Sequence, residues 1–266
     1  MQFAMMVRNI RQNRWLWMED FRDFVRHRPS PGEFPERERA CIEELRQDGF
    51  AVVKNYWPRG KALEMRDLLE AHLRDGKNRD FESGAYLRFW DKRSHDEGVR
   101  RIYHVERLVE ELKSFRNDPF ILRVAEGYYG FPFYSGVLVY QHNIQTNSNT
   151  RYYHVDWFGK QFKPFLYLDD VDEGNGPFTY LRGTHRSHFI RLKKQLIGNA
   201  EGSPTSFYER DLESVLDQEV QVCGEAGTLI LADVRGIHRG SPQINRSRSV
   251  LVNYMYRTQG DVYLDK

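Results

Sequence analysis

Cysteine is nearly missing from this chain: 266 residues contain only Cys41 and Cys223. Two scattered cysteines make neither a disulfide framework nor a zinc site, and they fit a reducing compartment. An excess of one charge is missing too. Lys and Arg number 40 against 38 Asp and Glu, for a net charge of +2. A nucleic-acid-binding domain is usually more basic, with its charge in a stripe. No stretch approaches the ~18 apolar residues that a membrane span needs. The N-terminal MQFAMMVRNIRQNRWLW carries charges throughout and lacks the apolar core of a secretory signal. There is no internal repeat and no low-complexity segment. The expectation is a soluble cytoplasmic protein with no membrane and no nucleic-acid partner, its oligomeric state unreadable.

What is present points to a β-rich core. Hydrophobic residues make up 40% and aromatics 14% of the chain, a composition suited to strands and lined pockets. The length fits a single domain over 1–266. Residues 1–131 read as mostly helical. Met5 to Arg28 is a helix candidate, followed by a break at Pro29, Pro31 and Pro35. ERERACIEELRQ at 36–47 places Cys41, Ile42 and Leu45 on one helix face, and FAVVKNYW then reads as a strand. Lys61 to Arg74 is amphipathic through Leu63, Leu68, Leu69 and Leu73, and 104–116 and 118–128 read as two more helices. From 132 to 258 the pattern changes to short strands: GVLVYQHNI, RYYHVDWF, PFLYL, PFTYL, EVQVC, GTLILAD and RSVLVNYMY. Turn signals such as EGNGP separate them. Such a series implies a sandwich or barrel, of which the two-sheet jelly roll is a standard form. The predicted fold class is therefore mainly β with helices, a jelly-roll core under an N-terminal helical layer. A helical insertion is expected at about 186–217, and 84–103 is a candidate lid.

One constellation carries chemistry. His154 and Asp156 are two residues apart in a strand candidate, so both side chains face one way. His238 follows a later apolar strand, where a jelly roll can bring it opposite. Two histidines and one carboxylate form the facial triad of non-haem Fe(II), which leaves three coordination positions open. Arg248 opens the next strand, and an arginine binds a carboxylate through two parallel hydrogen bonds. HxD alone is weak; the order HxD, long gap, His, short gap, Arg is much harder to reach by accident.

Other candidates have plainer explanations. His185 and His188 could form an i, i+3 ligand pair, but a structural turn is the better account. His142 should face away from Gln141. Trp157 and Phe158 are expected in the core, and Lys160 and Lys163 in solvent. The basic residues Arg88, Lys92, Arg93, Arg100 and Arg101 form a solvated face or a rim that attracts an anionic substrate.

Three segments, YYHVD at 152–156, YLDDVDEGNGPFTYLRGTHRS at 167–187 and HRGSPQINRSRSVLV at 238–252, resemble the phytanoyl-CoA dioxygenase family of Fe(II)- and 2-oxoglutarate-dependent oxygenases. DGFAVVKNYW is similar to that family's N-terminal strand, and the likeness runs from about Glu43 to Tyr256. It departs at Arg182, where the family's "PGSH" has proline, and near Ser241, where one residue is inserted. The resemblance implies that His154, Asp156 and His238 hold iron and that Arg248 anchors 2-oxoglutarate, with Gln141 and Ser241 as further contacts. Arg246 is a nearby competitor, but the apolar run follows Arg248. It also implies dioxygen as co-substrate, a reductant such as ascorbate, a small-molecule substrate, and release of succinate and CO2. Related halogenases lack the ligand carboxylate, so Asp156 favours hydroxylation; desaturation and ring formation stay open. Two rivals stand beside this: a non-catalytic jelly-roll binding protein that kept the triad, and a metal-dependent hydrolase on the same barrel.

Overall fold

The computed structural model describes residues 33–74, 76–89, 98–144, 152–186, 190, 193 and 205–257. The helix expected at 5–28 and the middle of the expected lid, 90–97, lie outside the described residues.

Helix α1 (Glu36–Asp48) buries Cys41, Ile42 and Leu45, the face its spacing predicts. Gly49 ends it in the left-handed conformation at φ +91°, and a side chain there would strike Tyr180 and His185. Strand β1 (Phe50–Val53) follows. Helix α2 (Arg59–Glu70) buries Ala62, Met65 and Leu69. Its covered stripe is therefore rotated from the expected one, and Leu68 stands exposed. Strands β2 (Arg79–Asp80), β3 (Tyr86–Phe89) and β4 (Val99–Tyr103) come next, so the flanks of the expected lid belong to a sheet. Of the two helices predicted next, the first is reduced to α3 (Leu112–Arg116), while α4 (Pro119–Tyr129) is full, capped by the Asp118 carboxylate on the Phe120 amide.

The remaining strands are β5 (Tyr134–Asn143), β6 (Tyr153–His154), β7 (Phe162–Tyr167), β8 (Phe178–Leu181), β9 (Ser206–Phe207), β10 (Glu219–Val222), β11 (Leu229–Asp233), β12 (His238–Gly240) and β13 (Arg248–Tyr256). They form two antiparallel sheets, in the orders β1-β11-β7-β13-β5-β4-β3-β2 and β10-β8-β12-β6-β9. This is the predicted jelly roll. Of the helical insertion expected at about 186–217, residues 205–217 hold β9 and 3-10 turns. Among the described residues, no helix is long and apolar enough to cross a membrane.

The large sheet is covered on both faces, which is why its central strands read as near-continuous apolar runs. Leu138, Tyr140, Leu166, Leu231 and Leu251 pack toward the helices. Phe165, Tyr167, Ile230, Val250 and Val252 face the small sheet, against Phe178 and Tyr180. Because side chains alternate along a strand, Lys163, Gln141 and Arg248 fall on this second, inward face.

Candidate metal centre

His154 and His238 are direct cross-strand partners, on β6 and β12, with ring centroids 4.5 Å apart. Each ring is oriented the same way. His154 Nδ1 lies 3.0 Å from the Tyr152 carbonyl and His238 Nδ1 2.9 Å from the Gly236 carbonyl. A carbonyl only accepts, so each Nδ1 carries the proton and each Nε2 presents its lone pair. The Asp156 carboxylate meets both: Oδ1 is 3.5 Å from His154 Nε2 and Oδ2 is 3.7 Å from His238 Nε2. The three ligand atoms fall within 4.8 Å of one another. Contrary to expectation, β6 ends at His154, and Asp156 sits in a turn. Its amide donates to the Val234 carbonyl at 3.3 Å, which ties it to the segment that carries His238.

That segment, Asp233 to His238, is held by contacts of its own. The Gly236 amide returns to the Asp233 carbonyl, which also accepts from the Tyr180 hydroxyl at 2.8 Å. A side chain on Gly236 would collide with that hydroxyl. The rings of Phe178 and Tyr180 then pack on the His238 imidazole.

Electrostatics separate the three candidate ligands. Burial disfavours charge on His154, but the neighbouring Asp156 more than offsets this and raises its pKa above the ordinary histidine value. His238 is pushed down to about 4 by burial and by the facing imidazole. Burial would raise Asp156; Lys163 and the two imidazoles instead hold it well below the usual carboxylate range. Lys163 was expected in solvent. It is 5% exposed, with Nζ 2.5 Å from Asp156 Oδ2, because the carboxylate supplies the partner that a buried ammonium requires.

Arg248 begins β13 and is buried. Its guanidinium donates to the Gly176 carbonyl, while its Nε has no hydrogen-bond partner. Gly176 itself has φ +70°, and a side chain there would strike the Ser241 carbonyl. Arg246 is different: it lies 58% exposed in an ion pair with Asp172. Gln141 is on the inward face. Its Oε1 accepts from Arg101 Nε at 2.8 Å and its Nε2 donates to Asn143 Oδ1 at 3.0 Å. Asn143 is the cross-strand partner of Arg248. His142 points the other way, to Ser249 and Glu70, as alternation requires. The Ser241 hydroxyl pairs with Thr179 Oγ1 at 2.7 Å, and its carbonyl lies against Gly176, whose own carbonyl accepts from Arg248. Trp157, expected in the core, is 38% exposed. His185 is buried near Asp233, and burial pushes its pKa down to about 4; His188 lies outside the described residues.

Sequence reasoning missed Asn143 and the role of Lys163, and it named Arg101 only as part of a basic rim, without its hydrogen bond to Gln141. The available signal was alternation: Lys163, Phe165 and Tyr167 share one face of a strand.

The profile of the phytanoyl-CoA dioxygenase (PhyH) family matches residues 45–250. The chain belongs to the phytanoyl-CoA dioxygenase family. No curated protein matches it. Among solved structures it resembles the epimerase SnoN in complex with Fe3+, alpha ketoglutarate and nogalamycin RO. That match has 16% identity over 88% of this chain and 91% of the other, with a TM-score of 0.61. It also resembles HygX from Streptomyces hygroscopicus with nickel, 2-oxoglutarate and hygromycin B bound, at 15% identity over 83% and 87% and a TM-score of 0.58. EctD from S. alaskensis with bound Fe gives 16% identity over 86% and 78% and a TM-score of 0.61. At these identities the likeness bears on the fold.

Proposed function

We propose that this chain is an Fe(II)- and 2-oxoglutarate-dependent dioxygenase that hydroxylates a small molecule. The observation that carries the proposal is the donor set. Two imidazoles turn their Nε2 atoms toward one carboxylate, and each is locked in that tautomer by a backbone carbonyl. Such a set suits a divalent metal and leaves positions for other ligands. The protein that SnoN's structure captures holds Fe3+ with alpha ketoglutarate, which supports the same pairing here. When bound, iron and 2-oxoglutarate supply an oxidant from dioxygen, with succinate and CO2 released.

The chain's own residues divide the remaining work. His154, Asp156 and His238 hold the metal. Arg248 binds the far carboxylate of 2-oxoglutarate, since its buried Nε has an unmet donor and burial favours a bidentate anionic partner. Gln141 and Asn143 form the polar wall beside it, and the Ser241 hydroxyl is held by Thr179 Oγ1. The helix-covered large sheet excludes water from one side of the site. Arg88, Arg101 and Gln141 form a cross-strand row on the inward face, which favours a polar or anionic substrate. Neighbours of this fold include an epimerase and a carbocyclase, so the same centre accommodates outcomes other than hydroxylation.

The test is anaerobic addition of Fe(II) and 2-oxoglutarate to the metal-free protein. A weak visible charge-transfer band, missing in His238→Ala, is expected. A folded, metal-loaded protein that shows no band would end the oxygenase reading and leave the metal hydrolase or the binding protein.

A further inference from the structure

Lys163 lies beside the proposed metal site but is not one of its ligands. It sits on the inward face of β7, where its cross-strand partner on β11 is Ala232. A partner that small leaves room for the lysine chain to run across the sheet. The ammonium reaches Asp156 Oδ2 at 2.5 Å, and it lies 3.7 Å from the centroid of the Tyr254 ring. Both contacts favour a fixed cation. Only 6% of the side chain is exposed.

A carboxylate can bind a metal through one oxygen or two. Here Oδ2 is ion-paired with a buried ammonium at 2.5 Å and lies 3.7 Å from His238 Nε2, while Oδ1 faces His154 Nε2 at 3.5 Å with no ammonium on it. Charge adds a second consideration. The two imidazoles contribute none, and the lysine cancels the aspartate. The protein donor set with its lysine is then neutral, which leaves the full charge of a divalent metal for a dianionic co-substrate.

We propose that Lys163 is a positioning residue that restricts Asp156 to Oδ1 and trades metal affinity for affinity toward the 2-oxo acid. The proposal rests on His154, Asp156 and His238 being the ligands. It predicts opposite signs for two affinities. A cation this close repels a metal ion and attracts a dianion, and the low dielectric of a protein interior strengthens both effects.

The test uses the full chain with Co(II) as the metal probe, followed by calorimetry and by visible absorption, in weakly alkaline buffer. Lys163→Met is expected to bind Co(II) on the order of tenfold more tightly. Its visible bands should weaken as the second carboxylate oxygen joins the coordination sphere. The Co(II)-loaded variant should bind 2-oxoglutarate on the order of tenfold more weakly. Lys163→Arg, which keeps the charge, should restore both affinities toward the parent values. The proposal is overturned if Lys163→Met leaves both affinities and the spectrum unchanged. It is equally overturned if both affinities fall together with the melting temperature, since a purely structural lysine would do that. Failure of the ligand assignment looks different: the parent protein would not take up Co(II), or His238→Ala would take it up equally well. That result removes the assignment and this proposal with it.

Discussion

Two aspartates in this molecule each face a buried cation, and they are built differently. Asp233 is completely enclosed, and hydrogen bonds saturate it. It accepts from the Arg235 amide and guanidinium and from the Tyr128 hydroxyl at 2.9 Å. Asp156 keeps a 21% exposed side chain and meets its lysine at one oxygen. Its remaining neighbours are two imidazole nitrogens at 3.5 and 3.7 Å, too long for hydrogen bonds. A saturated buried carboxylate is a structural member. An unsaturated one that faces lone pairs suits a cation. The two are also coupled in space, because the turn that Asp233 and Arg235 brace carries His238 and receives the Asp156 amide at the Val234 carbonyl.

The sharpest way to break the comparison is to remove a proposed ligand on the unsaturated side. His154→Ala or Asp156→Ala is expected to abolish metal uptake and cut turnover by at least about a thousandfold, since ligands act as a unit. Circular dichroism should still show a folded protein in the His154 variant, whose ring is partly exposed. Metal content by elemental analysis, read beside succinate release, decides it. Uptake equal to the parent's would show that these residues are not the ligands.

On the saturated side the loss should be of stability. Asp233→Ala strands the Arg235 guanidinium in the interior, and breaking one partner of a buried pair costs about 3–5 kcal/mol. For a chain of this size that lowers the melting temperature by roughly 10 °C. Metal uptake at a temperature where the variant is folded should persist. A variant that melted with the parent would mean that the pair contributes nothing net.

Between these lies Arg248. Arg248→Ala is expected to raise the 2-oxoglutarate requirement about tenfold to a hundredfold, the worth of a charge-assisted bond, with turnover at saturation less affected. Arg246→Ala, which removes only an exposed pair with Asp172, should leave that requirement unchanged. Steady-state kinetics on the two variants compares them, and the reverse ranking would move the anchor.

Much of this was legible in the residues, for physical reasons that also mark where legibility stopped. Arg248 was found from its place at the head of RSVLVNYMY, and the HxD spacing named two donors, although β6 ends before the second of them. The jelly roll followed from short, evenly spaced strands. Lys163 was misread because lysine is seldom buried, and the partner that makes burial tolerable, Asp156, lies in a different turn. Trp157 was assigned to the core on its apolarity, but β6 ends before it and leaves the ring half in solvent. Residues 84–103 gave little sign of strands, since charged side chains such as Arg88, Arg100 and Arg101 dominate them. There the sheet is held by cross-strand pairs, Tyr86 stacked on Tyr103 among them. Ser241 pairs with Thr179 across neighbouring strands, a partner that sequence spacing alone does not reveal.

The smallest expected effect is an acid window that belongs to Asp233. Burial would raise its pKa, but Arg235 overrides this and holds it at about 2, below the ~3.9 of an unfolded aspartate. A depressed carboxylate contributes stability that is fully present above the unfolded value and is lost as pH falls through the folded one. The window is therefore pH ~4 to ~2, and the two-unit gap corresponds to on the order of 2 kcal/mol. Other carboxylates titrate nearby, so the useful quantity is a difference. Urea unfolding of the parent and of Asp233→Asn should give curves that converge as pH drops from about 4 to about 2, because the asparagine has no proton to gain. Curves that stay parallel across that range would place the acid sensitivity elsewhere and would remove the electrostatic contrast between the two aspartates, leaving only their difference in saturation.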